Sequence, residues 1–166
     1  MHTTESSYKL KVPFDYMRDG LSVSATFVTL FAPTSRHVQQ CADIKQAFFS
    51  AAHDVVRRLE VIADDGSGET DEDEDLTGDL VLHYLERAQS VNLGQVIGWF
   101  GEMAAGSGPD SPGVAIADGV EPMTGPLIES MSYEDLEAMT AEYIATFILA
   151  SAWRKMRSPG SEPSSD

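Results

Sequence analysis

Two strand-like runs joined by Asp19-Gly20 constrain this chain more than any other feature of its sequence. An Asp-Gly pair between alternating runs is a strong signal for a tight hairpin turn. In the first run, Tyr8-Lys-Leu-Lys-Val12, the residues Tyr8, Leu10 and Val12 share one face and both lysines the other, as in a half-buried strand. Pro13 has no N–H to give to a ladder, so this strand is expected to stop there or to run along a sheet edge. The second run, 21–31, is rich in β-branched residues, with Leu21, Val23, Ala25 and Phe27 on one face and Val28 and Leu30 on the other. That phase change predicts a bulge, or a segment covered on both sides.

Ala32-Pro33-Thr34-Ser35 ends the second run and offers Thr34 or Ser35 as a helix N-cap. Cys41, Ile44, Phe48, Ala51, Val55, Leu59 and Ile62 follow at spacings of three and four, predicting a long amphipathic helix over 36–62. Lys45, Arg57 and Arg58 fall on or beside its polar side. Residues 64–75 form a self-repelling acidic run with two glycines, expected to be a mobile loop. Leu80, Val81, Tyr84, Leu85 and Ala88 predict a short helix, and Val96, Ile97, Phe100 and Met103 another, weakened by Gly94 and Gly98. A Gly/Pro/Ser-rich loop covers 106–113, after which Val114-Ala-Ile116, Asp118-Gly119 and Val120 predict a second small hairpin or an extended arm. Ser132-Tyr-Glu-Asp135 resembles a capping box with Asp in place of Glu. The helix behind it carries Leu136, Met139, Tyr143, Phe147 and Ala150 on one stripe, widened by Ile144 and Ile148, and ends in a basic Arg154-Lys155-Met-Arg157 turn.

These elements give an α+β fold: an N-terminal antiparallel β-hairpin followed by a mainly α-helical body, with a disordered acidic loop and C-terminal tail. The expected organisation is a flexible N-terminus at 1–7 and one domain at 8–157. Within it lie a hairpin (8–31), a long helix (36–62), an acidic loop (63–77), helices (78–104), a loop (105–131) and a C-terminal helix (132–157). A disordered tail occupies 158–166.

Charge narrows the class of partner. The net charge is −16, yet residues 1–60 carry 7 basic and 6 acidic side chains, so the excess lies further on. Residues 61–80 carry 9 acidic groups and no basic ones. Such a surface repels phosphates and anionic membranes, which argues against a nucleic-acid or membrane partner. The start, Met-His-Thr-Thr-Glu-Ser-Ser, lacks the pattern of a secretory signal, no apolar stretch is long enough to span a bilayer, and the lone Cys41 suits a reducing cytoplasm.

No constellation for catalysis, cofactor or metal emerges. Asp71, Asp73 and Asp75 alternate as in an EF-hand loop, but Leu76 stands where the turn needs Gly and Leu82 where a bidentate Glu is needed. Starting the frame at Asp73 places Gly78 correctly but puts Tyr84 at the last ligand position. His37 and His53 are too far apart to chelate, and the His83 and Glu86 pair is common on any helix. Cys41 lies on an apolar stripe and reads as a buried structural thiol. Neither Gly66-Ser-Gly68 nor Gly106-Ser-Gly108 has the context of a phosphate loop.

The arrangement does resemble a family. Tyr8-Lys-Leu-Lys-Val-Pro-Phe14, then Asp19-Gly20, then an alternating strand closing at Ala32-Pro33-Thr34 before a helix, is similar to the opening of tail assembly chaperones from long-tailed bacteriophages. Asp118-Gly119-Val-Glu-Pro-Met-Thr124, followed by Leu127, Met131, Ser132, Glu134-Asp135-Leu136 and a helix containing Phe147, resembles the end segment of that family. The acidic insertion at 64–75 and the loop at 106–113 depart from it. The resemblance implies a protein of the host cytoplasm, absent from the mature virion. It would bind the aggregation-prone tape measure protein until tail tube subunits polymerise, with the tail tube protein as a second implied partner and with self-association along the client. Phe48, Val55, Tyr143, Phe147 and Ile148 are then client-facing or core residues, two roles that the sequence leaves open. The rival expectation is an acidic mimic of nucleic acid that inhibits a host nuclease or another DNA-binding protein. A third is an acidic regulatory or scaffolding domain with no viral link.

Overall fold

The computed structural model describes residues 5–63, 76–88, 92–105, 113–117, 121–122 and 125–150; for 54–63, 121–122 and 125–126 it describes the backbone alone. Strands β1 (Glu5–Arg18) and β2 (Leu21–Phe31) form the antiparallel hairpin. Arg18 pairs with Leu21 across the turn, where Asp19 and Gly20 have φ of 51° and 79°. Positive φ at both central residues matches the turn to the right-handed twist of the strands.

The slip in pattern along β2 is a bulge. Lys9 pairs with Phe27 and Phe14 with Ala25, so Leu10 to Pro13 stand opposite the single residue Thr26. Inward-facing residues accordingly switch phase, from Ala25 to Val28 and Leu30 on β2, while Leu10, Phe14 and Tyr16 stay buried on β1. Pro13 interrupts the ladder where no donor is required, and β1 continues to Arg18. The strand also starts at Glu5, so residues 5–7 belong to the sheet and not to a flexible terminus; pairing of Glu5 with Phe31 accounts for this.

A 3₁₀ turn (Ser35–His37) leads into α1 (Val38–Ala63). Helices α2 (Gly78–Arg87) and α3 (Leu93–Ala105) follow, then β3 (Ala115–Ala117), β4 (Glu121–Pro122), α4 (Gly125–Ser130) and α5 (Tyr133–Tyr143). One π-helical turn, Ile144–Ile148, continues α5. The sheet order is β1-β2-β3-β4, antiparallel throughout. The expected loop at 105–131 thus contains two short strands, the small hairpin that its own sequence offered, and a helix. Helix α4 escapes notice because its Gly125-Pro126 start carries a loop signature, although proline is well suited to a first helical turn.

One face of the sheet, through Leu10, Phe14, Val28, Leu30 and Ala115, merges with the helices into a single core containing Ile44, Phe48, Val81, Phe100, Met139 and Tyr143. Helix α5 is its hub, packing against α2, α3 and β1. Gly78 permits a close approach of α2 to α5: a Cβ there would lie 3.1 Å from the Glu142 backbone. The acidic run at 64–75, the end of the C-terminal helix beyond 150 and the tail lie outside the described residues.

Candidate protein-binding surfaces

The five residues singled out by sequence divide. Phe48 and Tyr143 are fully buried, each in aromatic contact: Phe48 edge-on to Tyr84 at 5.9 Å and Tyr143 against Phe100 at 5.3 Å. Both are core: Phe48 of α1 packs on α2 and Tyr143 of α5 on α3, within one continuous cluster. Phe147 and Ile148 are half-buried and pack on that core, Phe147 lying 5.1 Å from the Tyr143 ring. The Val55 side chain lies outside the described residues. Cys41 is half-buried against the core, and burial pushes its thiol up in pKa. Among the described residues no group of three or more His, Cys, Asp or Glu is placed to hold a metal ion. Among them, too, no helix is long and apolar enough to cross a membrane.

Sequence reasoning passed over Asp135 as more than a cap. It is fully buried, and its Oδ1 accepts from the Lys11 backbone N–H at 2.8 Å and the Tyr8 hydroxyl at 3.1 Å. Its Oδ2 accepts from the Val12 N–H at 2.9 Å and the Ser132 hydroxyl at 3.0 Å, while its own N–H donates to Ser132 Oγ at 3.1 Å. The bulge thus exposes two backbone donors, and the first turn of α5 answers both with one carboxylate. Burial works to raise the carboxyl pKa, but the N–H groups of Lys11 and Val12, with the hydroxyls of Ser132 and Tyr8, hold it below the ordinary carboxylate value. Burial and the same carboxylate push the Tyr8 phenol up. Outside this junction Lys11 Nζ meets Glu134 at 3.2 Å, an exposed pair of little energetic weight. The latch is structural: its donors are spent on the fold.

Among the described residues, large apolar side chains stand in solvent on the hairpin, at Val38 on α1 and at Tyr133 on α5. On the hairpin, Val12, Met17, Leu21 and Phe27 are exposed, the first three at 50–71 %. The outer edge of β1 is nonetheless guarded against indiscriminate pairing by Lys9, Lys11, Pro13 and the bulge. On α1, Val38 is 60 % exposed. Beyond it the outward face forms a shallow depression lined by Ala42, Lys45, Gln46, Phe49, Ser50 and His53. Phe49 is its half-buried floor, edge-on to Phe48 at 5.7 Å. Comparison with protein-family models, curated proteins and solved structures yields no match to this chain.

Proposed function

We propose that this protein is a tail assembly chaperone of the long-tailed phage type, a non-enzymatic binder that keeps the tape measure protein soluble in the host cytoplasm until tail tube subunits polymerise around it. On this reading it leaves before the virion matures. The observation that carries the proposal is the set of large apolar side chains left in solvent among the described residues, four on the hairpin with Val38 on α1 and Tyr133 on α5, by a body that otherwise buries its core thoroughly. A hairpin leading directly into a helical body is also the arrangement that the resemblance implies. Client contact then falls on exposed residues, not on Phe48 or Tyr143, which the core consumes. The high negative charge keeps coated clients apart and soluble.

Co-expression tests this directly. The partner to use is the longest coiled-coil-like protein encoded beside this gene. The chaperone reading expects that partner in the soluble fraction only when this chain is present; equal insolubility with and without it contradicts the reading. Nuclease mimicry rests on the acidic run, which lies outside the described residues, and predicts a complex that collapses at moderate salt.

A further inference from the structure

We draw no further inference here: the strongest candidate, the outer face of the sheet, where strand pairing and alternation set Phe27, Phe31 and Ile116 around Thr29, is an apolar surface for which nothing in the structure shows what covers it.

Discussion

Asp135 shows how a single side chain can tie together segments 124 residues apart. Removing it deprives two backbone donors and two hydroxyls of their buried acceptor, so Asp135→Ala should cost about 3 kcal/mol of stability in urea unfolding, more than an exposed cap would. The pH dependence has a fixed sign. Its folded pKa is depressed, so its contribution is complete above the unfolded value of about 3.9 and is lost as pH falls through the folded value. His37 acts earlier in an acid titration. It is 5 % exposed, with Nδ1 accepting from the Thr34 N–H at 3.3 Å, and burial followed by the Arg36 charge lowers its pKa. The unfolded chain takes up this proton more readily, so stability should fall once pH drops below about 6.5, until the folded value is passed. A stability profile measured from pH 8 to 3 should show both limbs, and His37→Gln should remove the first. Tyr143 behaves oppositely: its buried Oη has no partner among the described residues, so Tyr143→Phe should be neutral or stabilising by up to about 1 kcal/mol. Marked destabilisation by this substitution would mean that the hydroxyl is satisfied.

At the scale of elements, legibility followed the range of the interaction. The hairpin could be read because its signals are local: period-two alternation and an Asp-Gly pair whose φ values demand little of any other residue. The switch from Phe27 to Val28 offered a bulge as one of two readings of the second run, whereas the extra residues, Leu10 to Pro13, lie in the first. The purpose of the bulge was not legible, because the donors it frees at Lys11 and Val12 meet an acceptor at the far end of the chain. Ser132 and Asp135 were visible as a cap, the smaller half of their role. Strands β3 and β4 are too short for periodicity, and β3 is held by distant partners: Val114 donates to Met103 O at 2.9 Å and accepts from the Phe31 N–H at 2.7 Å. Two glycines test these elements separately. At Gly20 an added Cβ meets nothing, so Gly20→Ala should cost only the left-handed backbone penalty of about 1 kcal/mol, seen as a lower urea midpoint. At Gly78 it meets the Glu142 side chain as well as its backbone, and Gly78→Ala should push α2 off α5 at a cost of about 1–3 kcal/mol.

Across the whole molecule, the apolar stripes that drew notice first, on α1 and α5, are spent on the core through Phe48, Met139 and Tyr143. Among the described residues, the fold leaves outside Val12, Met17, Leu21 and Phe27 on the hairpin, Val38 on α1 and Tyr133 on α5. On the proposed chaperone reading, an acidic protein with exposed apolar side chains would hold a client by burial and use charge to stay dispersed. The most direct measurement is size-exclusion chromatography of the co-expressed pair at about 0.5 M salt, where screening confines electrostatics to about 4 Å. This chain and the coiled-coil-like client should co-elute there as they do at low salt. Separation into free components at high salt would contradict the chaperone reading and point to a partner held by charge alone.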